Sequence, residues 1–170
     1  NIGYFSLLAA NIVGRSGKVY AFEPDPRNAR ILRKSMDVNP HIGDIIEVHE
    51  MAASNTVGQA DISLAYASNL TSMADRLKPG MLFEKCSIRT TTVDEFLGTR
   101  GGTINFIKMD IQGYEVEALE GMKQTLKNSP FPCTILFEPH PDVYNHTDRD
   151  LGKQLEYLYS MSFRPRIVVS

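Results

Sequence analysis

The chain has 170 residues, 42% of them hydrophobic, which is one domain's worth of polypeptide with enough apolar material for a single core. A formal charge of −2, from 18 basic and 20 acidic residues interspersed along the chain, excludes the broad positive field that would hold a nucleic acid. No apolar run approaches the roughly 20 residues of a membrane-spanning helix, and no basic segment leads into a short apolar one, so a membrane is not an expected partner.

Phe5, Leu8, Ala9 and Ile12 fall at i, i+3, i+4 and i+7, which predicts a helix that begins almost at residue 1 and ends at Gly14 and Gly17. Residues 18–23 (KVYAFE) are short, apolar and β-rich; Asp25-Pro26 then supplies an N-cap and a proline at the first helical position. The helix that follows carries Ile31, Leu32, Ser35 and Met36 on one side and stops near Asn39-Pro40. Arg27, Arg30, Arg33 and Lys34 recur at helical spacing and are expected on its solvated outer face. Residues 45–51 and 104–109 read as interior parallel strands. Between them, residues 54–92 break the alternation. Alternating pieces at 61–66 and 87–93 flank a polar segment, 68–79, so this region is expected to be an insertion with its own hairpin, placed as a lid over a ligand crevice. A helix over 114–126, a strand over 133–137, a helix over 151–161 with Leu151, Leu155 and Leu158 in line, and a strand over 166–169 complete the chain.

Alternating strands and helices predict an α/β fold with a mostly parallel sheet, as a single domain over residues 1–170. The chain opens on a turn and a helix, whereas a helix with one apolar face normally follows the strand it covers. The first strand is therefore expected to be missing, either because the polypeptide extends upstream or because the chain is a fragment. Cys86 and Cys133 have no metal or redox spacing, which fits packed thiols and a reducing, cytoplasmic setting.

The residues that could carry chemistry lie at strand ends and helix starts. Asn1 and Gly3 lead into the first helix, whose free N–H groups would receive a carboxylate or phosphate, although such a turn is also ordinary structure. Glu23 ends a strand about twenty positions after Gly3, the spacing at which Rossmann-like folds place an acid on a ribose diol; a surface glutamate is the plainer alternative. Asp110 ends another strand, and strand C-termini are where open α/β sheets bind ligands. Glu115 shares a helix face with Ala118, Leu119 and Met122, so it points inward and needs a partner, unless it merely caps the helix. Glu138 and His140 follow the next strand and are expected on the same rim as Asp110. An imidazole takes a proton near neutral pH, which makes His140 the candidate base, with Asp110 and Glu138 as alternatives and a structural loop histidine as the plain reading. His41, His49 and His146 show no metal spacing with it, so no metal centre is expected.

With Asn1-Ile2-Gly3-Tyr4, Ala21-Phe22-Glu23-Pro24-Asp25-Pro26, Thr92-Val93-Asp94-Glu95-Phe96 and Lys108-Met109-Asp110-Ile111-Gln112-Gly113-Tyr114-Glu115 in that order, the chain resembles the FkbM family of methyltransferases over nearly its whole length. The resemblance implies a Rossmann-like class I methyltransferase sheet, S-adenosylmethionine as donor, and an oxygen acceptor on a sugar, a polyketide or another small metabolite. It assigns Asn1 and Gly3 to the cofactor loop, Glu23 to the ribose contact, and Asp110 and Glu115 to cofactor binding at the site after the fourth strand. The acidic and glycine residues that precede Asn1 in that loop are not in this chain, and Gln112 stands where the family commonly has Glu. Two other readings compete. A nicotinamide-dependent oxidoreductase shares the glycine turn and ribose acid, but the full G-x-G-x-x-G pattern and a Tyr-x-x-x-Lys pair are missing. A cofactor-binding domain without catalysis draws support from the missing first strand.

Overall fold

In the computed structural model, which describes residues 1–65, 82–129, 132–140, 144 and 149–166, short strands alternate with helices. Helix α1 (Tyr4–Val13) leads to β1 (Val19–Phe22), α2 (Pro26–Asp37), the one-turn α3 (Pro40–Gly43) and β2 (Ile46–His49). The α2 start follows the local chemistry: the Asp25 carboxylate accepts the Arg27 N–H at 2.9 Å, and Pro26 occupies a position whose N–H would be unsatisfied anyway. β1 and β2 pair in parallel, Val19 opposite Ile46 and Phe22 opposite His49. One face of this pair packs on Leu7 and Ala10 of α1, Leu32 and Met36 of α2, and Ile42 of α3. Gly3 has φ 100°, a backbone conformation that favours glycine, and a Cβ there would lie 2.3 Å from Leu32 Cδ1, so local structure and helix packing both favour glycine at this position.

The insertion is a hairpin, as expected. β4 (Gly58–Ala65) and β5 (Leu82–Thr91) are antiparallel, and β3 (Ala52–Ala53) adds to β5 in parallel. The segment 68–79, expected as a lid, lies outside the described residues.

After the hairpin come α4 (Val93–Gly98), β6 (Phe106–Met109), α5 (Glu115–Glu120), α6 (Lys123–Asn128), β7 (Thr134–Phe137) and α7 (Leu151–Ser160). The single helix predicted over 114–126 is thus two. A Cβ at Gly121 would lie 1.8 Å from the Ser54 carbonyl oxygen, and the Gly121 carbonyl accepts the Asp94 N–H at 2.9 Å, so tertiary contact interrupts the helix. The Asp94 carboxylate then accepts the Gln124 and Thr125 N–H groups at 3.1 and 2.6 Å, restarting it as α6. Gly121→Ala is expected to lower stability by about 1–3 kcal/mol through overpacking against backbone, as read by urea denaturation. The strand expected over 166–169 has its first residue outside any strand and the rest outside the described residues.

β6 and β7 pair in parallel, and among the described residues every strand pair except β4–β5 is parallel. Phe96, Met109, Leu119, Leu126 and Leu158 form the main core, with Tyr20 and Phe22 of β1 and Ile107 of β6 packed on it. That apolar layer places β1 and β6 under the same helices. A mostly parallel sheet without its first strand is expected, and among the described residues the strands form three separate sheets, β1–β2, β3–β5–β4 and β6–β7. The second edges of β1 and β6 pair with no described strand.

Helix α1 stands close to both strands: Asn1, three residues before it, meets Glu23 after β1, and its Phe5 ring lies 5.0 Å from Lys108 Nζ on β6. The stripe that periodicity marks as core-facing is turned to solvent, with Phe5 53%, Leu8 44% and Ile12 73% exposed. α1 buries its opposite side instead. Between β1 and β6 no described strand offers the apolar surface this stripe would cover. No described helix is long and apolar enough to cross a membrane.

Candidate active site

The ends of β1, β6 and β7 carry the acids that the sequence singles out. The Glu138 N–H donates to the Met109 carbonyl at 3.0 Å, which continues the β6–β7 ladder one step and sets Glu138 beside Asp110 on one rim. Beyond Met109 the chain curls through two left-handed residues, Gln112 (φ 55°) and Gly113 (φ 95°). This curl aims the Gly113 N–H at the Glu115 carboxylate, 3.1 Å away, at the start of α5. Arg149 holds the curl from behind: its guanidinium donates to the Gly113 carbonyl at 3.2 Å, lies 5.1 Å from the Tyr114 ring centre, and pairs with Glu117 at 2.5 Å. Burial pushes the Glu117 carboxyl up, with Arg149 among the groups drawing it back.

Glu115 is fully buried, so its carboxylate needs partners. It has three. Oε1 takes the Gly113 N–H and lies 2.9 Å from His140 Nδ1; Oε2 accepts the Tyr144 hydroxyl. His140 Nε2 faces the other way, 3.9 Å from Asp110 Oδ1. That is beyond hydrogen-bond reach, so a hydroxyl brought to this rim would donate its single hydrogen to one of the two atoms. Asp110 also receives the Gln112 side-chain amide at 3.0 Å, with Lys108 Nζ at 3.9 Å. A glutamate at 112 would set a second negative charge against Asp110, so the neutral amide suits this surrounding. Three candidates from the sequence, Asp110, Glu115 and His140, therefore form one cluster. Glu138 is exposed on the same rim, and no side-chain partner is seen for it among the described residues.

Tyr144 and Arg149 were not anticipated; both come from a stretch without motif or periodicity. Burial first, and then the hydrogen bond to Glu115, push the Tyr144 phenol well above its ordinary value of 10.0. The folded protein thus holds that proton more tightly than the unfolded chain. Stability from this source is complete below about pH 10 and is lost as pH rises beyond it. Tyr144→Phe leaves a buried carboxylate oxygen short of a donor and is expected to cost about 1–3 kcal/mol near neutral pH. Denaturant melts across alkaline pH check both effects, since the variant should lack this alkaline loss.

Glu23 is also buried; Oε1 accepts the Asp25 N–H at 2.9 Å and Oε2 meets the backbone nitrogen of Asn1, just before α1. Gly3 provides no side-chain cap, so the first turn of α1 presents free N–H groups beside this acid. Arg27 departs from the expected outer-face charge. It grips Asp25 through contacts of 2.6 and 3.0 Å and donates to the Ala65 carbonyl at 3.0 Å, tying the segment after Glu23 to the end of β4. Arg30, Arg33 and Lys34 are exposed as expected. Cys86 and Cys133 are free and half-buried, and burial pushes both thiols up, which suits packing and not nucleophilic chemistry.

A family model described as the methyltransferase FkbM domain matches residues 1–165 of the chain. A solved structure described as methyltransferase FkbM from Methylobacillus flagellatus KT is similar at a TM-score of 0.50 and 22% identity, over 74% of this chain and 28% of that one. At that identity the likeness speaks for the fold alone, and the chain spans only 28% of that protein's length. No curated protein matches the chain.

Proposed function

The chain belongs to the FkbM methyltransferase family, and from that membership we propose that it binds S-adenosylmethionine and directs methyl transfer to a hydroxyl oxygen of a small molecule, such as a sugar or polyketide-type metabolite. The observation that carries the reading is a pair of buried acids at strand ends: Glu23 after β1, against the start of α1, and Glu115, grouped with His140 and Asp110 after β6 and β7.

The residues present suit the donor. Glu23 turns one carboxylate oxygen to the start of α1, where it can accept from a ribose diol, and the uncapped N–H groups of α1 suit the donor's carboxylate. Asn1 and Gly3 shape that turn. When bound, the donor supplies a sulfonium methyl carbon open to in-line attack. The chain's own residues align the acceptor and take its proton. An acceptor hydroxyl at the rim between His140 and Asp110 would give its hydrogen to His140 Nε2, which frees its oxygen to take the methyl group. The charge of the resulting imidazolium is balanced by Asp110 on one side and Glu115 on the other. The proton then passes to water. Asp110 is the alternative acceptor of that proton, and Glu138, at the rim, is suited to orient the acceptor molecule.

Calorimetric titration with S-adenosylmethionine and with NAD tests the donor. Heat of binding with S-adenosylmethionine and none with NAD supports the proposal. Binding of NAD alone would favour an oxidoreductase, and donor binding without turnover on any hydroxyl compound would favour a domain that binds cofactor without catalysis.

A further inference from the structure

Resting on the reading of His140 as the proton acceptor, we infer that Glu115 and Tyr144 form a positioning pair that holds His140 in the tautomer with hydrogen on Nδ1 and a bare Nε2. A neutral imidazole carries one N–H, and which nitrogen bears it is set by what the other groups around the ring accept. Glu115 lies entirely out of solvent, directly behind the ring, with Oε1 at 2.9 Å from Nδ1. Its other contacts are both from donors, the Gly113 N–H and the Tyr144 hydroxyl. A carboxylate so surrounded is an acceptor on every side, and the third hydrogen it accepts is that of Nδ1. Nε2 is then left as a lone pair on the rim, 3.9 Å from Asp110, where the acceptor hydroxyl belongs. Tyr144 contributes by occupying Oε2, which keeps Oε1 turned toward the histidine and the Gly113 N–H. Glu115, assigned to the cofactor by resemblance alone, is thereby given a role behind the base.

The test is a nitrogen NMR spectrum of protein labelled at histidine, recorded where the ring is neutral, together with steady-state kinetics of Glu115→Gln, Tyr144→Phe and His140→Gln. The wild-type His140 is expected to show a protonated Nδ1 and a bare Nε2. In Glu115→Gln that preference should be lost, with kcat down on the order of 100-fold and KM for the methyl donor within about twofold of wild type. Tyr144→Phe should give a smaller fall in kcat, of about tenfold, with the tautomers mixed. A wild-type spectrum with hydrogen on Nε2 overturns the inference, and it does so even if Glu115→Gln fails to fold. Unchanged kcat in Glu115→Gln beside a disabled His140→Gln also overturns it, while leaving His140 as the base. Unchanged turnover in His140→Gln overturns the base assignment itself and is thereby told apart from failure of the pair.

Discussion

Replacing Glu23 with alanine is expected to weaken binding of S-adenosylmethionine and of its demethylated product by about two to four orders of magnitude. The carboxylate accepts both hydrogens of a ribose diol, and each charge-assisted hydrogen bond is worth roughly 1.5–3 kcal/mol, so the loss totals about 3–6 kcal/mol. Glu23 also accepts the Asp25 N–H at 2.9 Å, in a segment that Arg27 ties to the end of β4. The alanine variant therefore loses a local tether together with the ligand contact. Glu23→Gln separates the two, because an amide oxygen can still accept from Asp25 while one diol hydrogen loses its partner; its affinity should fall between those of wild type and alanine. Calorimetry on all three proteins checks the order. An unchanged affinity in Glu23→Ala removes the ribose assignment.

The second large effect concerns the proton. His140→Gln is expected to lower kcat by about 10²–10⁴-fold, the range that a positioned general base supplies, with donor affinity little changed. The pH–rate profile gives the sharper reading. An imidazole that must accept a proton fails once it is protonated, so wild type should lose activity on the acidic side, and that limb should vanish from the residual activity of the variant. Among the described residues, the charged and titratable groups around the ring are Asp110, Glu115 and Tyr144, with Lys108 reached through Asp110. Asp110→Asn tests the alternative: if it abolishes turnover while His140→Gln matches wild type in rate and acidic limb, Asp110 is the base.

Much of this arrangement could be read from single residues, and the failures have physical causes. Asp25-Pro26 located the start of α2 because capping is local chemistry, and β1, β2, β6 and β7 were evident as short apolar runs. The inward-facing Glu115 was legible from its helix face alone, and its need for partners followed from the cost of burying a charge. Its partners were not legible, since Tyr144 lies far along the chain in a stretch without pattern. Helix α4 was missed although Thr92-Val93-Asp94-Glu95 carries its start signal, a threonine three residues before a glutamate; the Thr92 hydroxyl accepts the Glu95 N–H at 3.0 Å. The break at Gly121 depends on the approach of Ser54, a contact that no local pattern announces. The stripe of α1 was identified correctly as apolar, but burial depends on what lies opposite, and there it is open. Gly3 illustrates a further ambiguity: one glycine can be required by a ligand's approach, by its left-handed backbone or by a neighbouring leucine, and the structure supports the last two.

The most direct measurement of the central claim is a crystal structure of the protein with S-adenosylhomocysteine. The account predicts the ribose hydroxyls on the Glu23 carboxylate, the amino-acid end at the first turn of α1, and the sulfur facing the space between His140 Nε2 and Asp110. A nucleoside bound away from Glu23, or a sulfur directed away from the His140–Asp110 rim, would contradict it.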